Sequence, residues 1–265
     1  MKKVKIALFA VIMGAIGVSC SSSDNEPYKP DPNKGDFVKV ARMTVSSDDN
    51  ENIVEVRYDI EYNSFLKLRK ISEYKNYNEA EVPSKPLLKY EFDYLKNNAL
   101  NSIVITTDEE VEYDKLIASY KNDYLNDLTG KKSSFVYEYS SGNVVKASSS
   151  DKVYTYDYDN RGNLTSVSDD TGELFTYTYG AGYNPFVHSE YNLTFEYFPG
   201  GDLIRFVQSS KNNIETATNK KTGEIYTFKT TASHEFGYPT SIEVKGKDTS
   251  KLFKFDYVII REPEK

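Results

Sequence analysis

The chain has 265 residues, a formal net charge of −7, 23 tyrosines, 14 phenylalanines, no tryptophan and a single cysteine. By net charge alone, a body that acidic is expected to repel nucleic acid and anionic lipid, and one cysteine excludes an intramolecular disulfide. The surplus of aromatics points to pleated sheet, where such side chains pack against cross-strand neighbours.

Lys2, Lys3 and Lys5 precede an uncharged apolar run from Ile6 to Val18. The run is too short for a permanent transmembrane helix, which needs about 20 apolar residues. It has the length and flanks of a signal-peptide core. Gly17-Val18-Ser19-Cys20 follows, small residues leading into cysteine, and resembles a lipobox. That resemblance implies residues 1–19 as a lipoprotein signal peptide and Cys20 as the lipid-attachment site. Lipidation also accounts for an odd cysteine in an exported chain.

Residues 20–36 hold three of the nine prolines and almost no apolar side chain. They predict a solvated tether, about 45 Å long if extended. The acidic residues just behind Cys20 resemble the export signal of Bacteroides-type surface lipoproteins. The implied address is the outer membrane, lipid-anchored and facing the cell exterior. Loss of the three signal-peptide lysines takes the formal charge to −10.

Residues 37–262 read as one β-repeat domain. Aromatics alternate in Tyr90-Glu91-Phe92-Asp93-Tyr94, Phe135-Val136-Tyr137-Glu138-Tyr139, Tyr154-Thr155-Tyr156-Asp157-Tyr158, Phe175-Thr176-Tyr177-Thr178-Tyr179, Leu193-Thr194-Phe195-Glu196-Tyr197, Tyr226-Thr227-Phe228 and Phe253-Lys254-Phe255-Asp256-Tyr257. Period two places the rings on one face and the polar residues on the other. Turn signals follow, among them Asn97-Asn98-Ala99, Ser141-Gly142-Asn143, Asp159-Asn160-Arg161-Gly162-Asn163, Pro199-Gly200-Gly201 and His234 to Pro239. The returning strand repeats a spacing, Leu100 to Ile103, Leu164 to Val167 and Leu203 to Phe206. Thr129-Gly130, Thr171-Gly172 and Thr222-Gly223 form a second recurring turn. The unit is a hairpin of roughly 20 residues repeated about eight times, as in a stacked or meandering β array. The fold class is all-β: repeated antiparallel hairpins forming one long curved meander sheet or open barrel.

One stretch departs from the pattern. From 107 to 130 the apolar residues Tyr113, Leu116, Ile117, Tyr120, Tyr124, Leu125 and Leu128 fall at helical spacing. Thr107 and Glu110 have capping-box spacing and Gly130 stands as a C-cap, which predicts a helix near 108–128. A degenerate hairpin fits the same residues.

The run from Tyr156 to Leu164 resembles the YD repeat of Rhs-type proteins, a similarity confined to residues 154–167. Over most of 37–260 the hairpins, the acidic tether and Phe236-Gly237-Tyr238-Pro239-Thr240 resemble a Bacteroides-type lipoprotein family with a domain of unknown function described as porin-like. That resemblance implies a curling antiparallel sheet and no assigned activity. A transmembrane barrel shows similar alternation, but the strands look nearer six residues than the roughly 9–11 of a tilted span.

The chain contains no G-x-S-x-G, H-E-x-x-H or P-loop. His188 and His234 read as loop histidines; Asp108-Glu109-Glu110 and Asp169-Asp170 read as solvated turns. Neither metal nor cofactor is expected. The reading is a non-catalytic binding body held at the membrane through Cys20, with a glycan or an outer-membrane protein as partner. The alternatives are a carboxylate-dependent hydrolase acting on glycans and an accessory subunit of an outer-membrane assembly.

Overall fold

A computed structural model describes residues 37–49, 52–75, 85–149, 152–187, 210–234 and 236–260. Sixteen strands make one closed antiparallel barrel of simple up-and-down order. They are β1 (Phe37–Asp49), β2 (Asn52–Tyr62), β3 (Leu68–Lys75), β4 (Leu88–Tyr94), β5 (Leu100–Thr107), β6 (Glu112–Lys121), β7 (Tyr124–Thr129) and β8 (Ser134–Ser140). The second half holds β9 (Asn143–Ser148), β10 (Val153–Tyr158), β11 (Leu164–Asp169), β12 (Gly172–Tyr183), β13 (Asn212–Asn219), β14 (Ile225–Ser233), β15 (Pro239–Lys245) and β16 (Ser250–Ile260). Antiparallel pairing of β1 with β16, from Phe37↔Ile260 to Ser47↔Lys251, closes the ring. The predicted meander is therefore a closed barrel, and its hairpins are the predicted repeat. The strand 193–197, the Pro199 turn, the Leu203–Phe206 spacing and His188 lie outside the described residues.

The end where β1 begins and β16 finishes is termed the near end; every even-numbered strand terminates there. Its turns carry the first kind of turn signal, and the far end carries the Thr-Gly kind. Four near-end turns close in the same way, by Asn63 N–H to Lys67 O, Leu95 N–H to Ala99 O, Asp159 N–H to Asn163 O and His234 N–H to Tyr238 O. The fourth residue of each is left-handed: Leu66, Asn98, Gly162 and Gly237 have φ of 65, 62, 83 and 81°. Glycine takes that conformation at no steric cost, which is what Gly162 and Gly237 supply.

The recurring Leu-x-x-Val spacing has a physical cause. Residues three apart on a regular strand face opposite sides, yet Leu100 and Ile103, and Leu164 and Val167, are all buried in one core. Each pair brackets a β-bulge: Asp93 pairs Ser102 while Tyr94 pairs Leu100, and Asp157 pairs Ser166 while Tyr158 pairs Leu164. The extra residue, Asn101 or Thr165, restores the inward phase. The same bulge follows Val40, Leu68, Leu125, Val144, Ile214 and Pro239, one per odd-numbered strand.

A tyrosine hydroxyl spans most of these bulges. Tyr62 donates to Val40 O (2.9 Å), Tyr94 to Leu68 O (2.6 Å) and Tyr120 to Leu100 O (3.0 Å). Tyr158 donates to Val144 O (2.9 Å), Tyr179 to Leu164 O (2.6 Å) and Tyr257 to Pro239 O (2.6 Å). A bulge interrupts the regular pairing beside that carbonyl, and the hydroxyl supplies a donor from the neighbouring hairpin.

The barrel is apolar inside and polar outside. Met43, Leu100, Leu116, Leu128, Leu164, Ile242, Val244 and Phe253 have no exposed surface, and they belong to one core with Tyr58, Tyr90, Tyr137 and Tyr156. The outer face carries cross-strand ion pairs, including Arg42–Asp59 (3.0 Å), Lys146–Glu138 (2.6 Å) and Lys70–Glu61, and Lys220 of the β13–β14 turn pairs Glu173 (3.2 Å) at the far-end rim. A membrane-spanning barrel has the reverse arrangement, an apolar outer band around a polar lumen. Strand length gives no clean distinction, because β1 and β12 run to 13 and 12 residues while β7, β9, β10 and β11 have 6.

The helix expected near 108–128 is not formed; the stretch is the β6–β7 hairpin. Asn122 and Asp123, with φ of 52 and 65°, form the two-residue turn that matches strand twist. Tyr113 and Ile117, expected on an apolar helix face, are each 48% exposed. Asp114 is buried and accepts backbone N–H groups of Lys131 (2.9 Å), Lys132 (3.2 Å) and Ser133 (3.1 Å). Gly130 is required there, since a Cβ would lie 2.6 Å from Asp114 Oδ1. The residue that looked like a helix cap makes room for a carboxylate that ties two hairpins together.

Tyr94→Phe and Tyr158→Phe each remove a hydroxyl that satisfies a bulge carbonyl. Each is expected to lower the unfolding free energy by about 1 kcal/mol, measured by urea denaturation. Tyr183→Phe, at an exposed ring, should leave stability unchanged.

Candidate functional site: the near-end mouth

The near end opens into two cavities that share Ser141 in their walls. The larger, about 540 Å³, lies between the β8–β9 and β10–β11 turns and the segment leaving β12; its lining includes Asp159, Asn160, Arg161, Phe186, Ser210 and Lys211. The smaller, about 350 Å³, is lined by Tyr124, Asn126, Tyr137, Glu138 and Tyr139 among others. The Tyr124 and Tyr139 rings lie 4.9 Å apart, tilted by 30°, with Tyr124 46% exposed. Burial pushes the Tyr139 hydroxyl up to about 12, with Tyr120 and Tyr158 adding to the effect.

The larger cavity rests on a closed polar network. Leu164 N–H donates to Ser210 Oγ (3.2 Å), Ser210 Oγ–H donates to Tyr179 Oη (2.8 Å), and Tyr179 O–H returns to Leu164 O. Asn163 is fully buried and holds the turn to β13, its Nδ2 donating to Asn212 Oδ1 (3.1 Å) and its Oδ1 accepting from Asn212 N–H (3.0 Å). Asp159 accepts from Arg161 N–H and Asn163 N–H, both at 2.8 Å, and these bonds, against the opposing effect of burial, hold its carboxyl below the usual range. Phe186 packs edge-on against Phe255, ring centroids 6.3 Å apart. Each cavity thus has one carboxylate in its wall. Asp159 braces a turn and Glu138 pairs Lys146, while Lys211 projects as an exposed ammonium.

A chain of rings continues around the mouth. Tyr183 stacks on Tyr238 (5.1 Å, 23°), and Tyr238 lies 5.8 Å from Tyr257. His234 sits against Phe236 at 4.6 Å and accepts the Phe236 N–H at Nδ1 (3.4 Å), a turn role in keeping with its reading as a loop histidine. At the seam, Lys39 is buried, donates to Leu66 O (2.9 Å) and lies 5.1 Å from the Tyr62 ring. Burial, aided by Lys67, lowers its ammonium to about 8.

The acid clusters do not converge. Asp108, Glu109 and Glu110 form the exposed far-end turn between β5 and β6, and Asp169 accepts the Thr171 N–H (2.8 Å) in another. Among the described residues no group of three His, Cys, Asp or Glu could hold a metal. Cys20 lies outside the described residues. The residue that sequence reasoning missed is Glu73, inward-facing on β3 with a side chain 1% exposed. Neither carboxylate oxygen has a hydrogen-bond partner; the Lys75 ammonium stands 3.7 Å away. Burial raises its pKa, and Lys75 only partly opposes this.

Neither a family model nor a curated protein matches the sequence. Among solved structures, a porin-like protein from Bacteroides uniformis superposes with a TM-score of 0.56 at 13% identity, covering 82% of this chain and 97% of that one. A porin-like protein from Bacteroides vulgatus has 12% identity and a TM-score of 0.36, covering 83% of this chain and 99% of that one. The first is a likeness of fold.

Glu73 gives a pH signature. Its folded pKa lies above the unfolded value of about 4.3, so it costs nothing while both states are protonated. Stability falls as pH rises from there through the folded pKa, because the fold must then hold a buried carboxylate. Glu73→Gln should therefore gain in melting temperature relative to the parent chain between pH 4 and pH 8, with the gap widening monotonically.

Proposed function

We propose that the mature chain is a lipid-anchored, non-catalytic binding body, held at the outer membrane by acylation of Cys20 and recognising its partner through the near-end mouth. The observation that carries this reading is the polarity of the barrel wall. Each charged side chain placed at the midplane of a bilayer costs roughly 2–4 kcal/mol, and the outer face presents Arg42, Asp59, Glu138, Lys146, Glu173 and Lys220 in ion pairs. Such a wall folds in water, so attachment has to come from elsewhere in the chain. Cys20, behind a signal-type segment and ahead of a proline-rich tether, has the chemistry for it.

The mouth suits a hydroxyl-rich ligand such as a glycan. The Tyr124 and Tyr139 rings offer apolar faces for stacking, and Asn126, Asn160 and Arg161 offer hydrogen-bond donors beside them. An outer-membrane protein partner is the second class the mouth would admit. A hydrolase reading has less support, since both cavity carboxylates are engaged by neighbours.

Metabolic labelling with a palmitate analogue tests the anchor. The parent chain should take up label and enter the detergent phase on phase separation, and Cys20→Ser should do neither; a labelled Cys20→Ser chain would reject the assignment. A glycan array tests the mouth, with Tyr124→Ala expected to weaken any binding about tenfold, the scale of losing one stacked ring. Binding untouched by that change would move the ligand elsewhere.

A further inference from the structure

We propose that the near end of the barrel docks against an anionic lipid surface, an orientation that rests on the anchoring of Cys20 proposed above. Three independent observations converge on this end. The first is where the tether joins: β1 starts at Phe37 on the near end, so the segment beginning at Cys20 leaves from that side. The second is charge. Among the described residues of the near-end turns and the one residue flanking each, Lys67, Lys96, Lys121, Arg161 and Lys211 are basic and Asp123 and Asp159 acidic, in a chain whose net charge is −7. Asp159 is already engaged by Arg161 at 3.4 Å and by its own turn amides. Far-end turns, by contrast, interleave both signs, as in Asp108-Glu109-Glu110 and Lys131-Lys132.

The third observation is apolar exposure at adjacent turn tips. Phe65, in the β2–β3 turn, is 60% exposed, and Leu95, in the β4–β5 turn, is 47% exposed. A large apolar side chain at a turn tip has no neighbouring strand to cover it. Flanked by Lys67 and Lys96, it forms the pairing that seats proteins at a bilayer interface, with apolar groups among the headgroups and ammonium groups at the phosphates. Docking by this end turns the mouth toward the bilayer, so a ligand reaching it is one carried at the membrane.

The test uses the full mature chain carrying Cys20→Ser, which removes the anchor and leaves only the surface to bind. It is sedimented with vesicles of phosphatidylcholine alone or mixed with phosphatidylglycerol, at low and physiological salt. Binding to the anionic vesicles, weakened by salt, is expected. Lys67→Gln, Lys96→Gln and Lys121→Gln should each reduce it about fivefold, the scale of one basic residue at an anionic surface. Phe65→Ser with Leu95→Ser should weaken it further, while Lys131→Gln with Lys132→Gln at the far end should leave it unchanged. All these positions are half-buried or exposed, and circular dichroism confirms that each variant is folded. Equal loss from near-end and far-end changes, or no preference for the anionic vesicles, would overturn the proposal. Palmitate labelling of the parent chain reports separately on the anchor, so failure of one reading is not mistaken for failure of the other.

Discussion

The barrel depends on the tyrosine hydroxyl that reaches from one hairpin to the bulge carbonyl of the next. Every odd-numbered strand carries an extra residue near its near-end bulge, which breaks regular pairing and leaves a carbonyl in need of a donor. At six of these eight bulges a tyrosine of the neighbouring even-numbered strand supplies it, namely Tyr62, Tyr94, Tyr120, Tyr158, Tyr179 and Tyr257. A hairpin alone is marginal in water. Here most are latched to a neighbour by a polar bond as well as by pairing, and the ring closes when Tyr257 pairs with Val40 across the β1–β16 seam.

The bulges also explain the sidedness of the wall. Without the extra residue, Leu100 and Ile103 would point to opposite faces, and the alternation that buries tyrosines inside would lapse at every turn. With it, the inner face stays in phase from mouth to far end and is mostly apolar, Glu73 and Asp114 being buried exceptions. The outer face is left to Lys, Glu, Asp, Arg and Thr, several of them paired across strands, with Ile117, Val136 and Val153 exposed among them. The likeness to a porin-like structure is thus one of fold, and this wall carries paired charges on its outer face.

The two ends diverge in chemistry because they are built from different turns. Near-end turns need a left-handed residue and a side-chain acceptor, which draws in Asn63, Asn97, Asp159 and Gly162. Their tips are left to Phe65, Leu95, Lys67 and Lys96. Far-end turns are stapled from inside, most clearly by Asp114 beneath residues 131–133. Glu73 is the exception to this economy of partners, a buried acid whose carboxylate oxygens have no hydrogen-bond partner and whose nearest cation, Lys75, stands 3.7 Å away.

By itself the sequence determined the all-β class, the hairpin repeat, the positions of both turn types and the inward face, because period-two aromatics and Gly-Asn turns act locally. It also marked Cys20, because a resemblance to a lipobox is carried by consecutive residues alone. It could not decide between helix and hairpin over 108–128, where apolar residues fit both periods; that waited on Asp114 meeting the amides of Lys131, Lys132 and Ser133, 17 to 19 residues away. Closure of the sheet, the burial of Glu73 and the gathering of five basic side chains and two apolar tips at the near end were likewise decided by tertiary structure. Each joins residues far apart in the chain, and only the register of β1 against β16 brings the ends of the barrel round to meet.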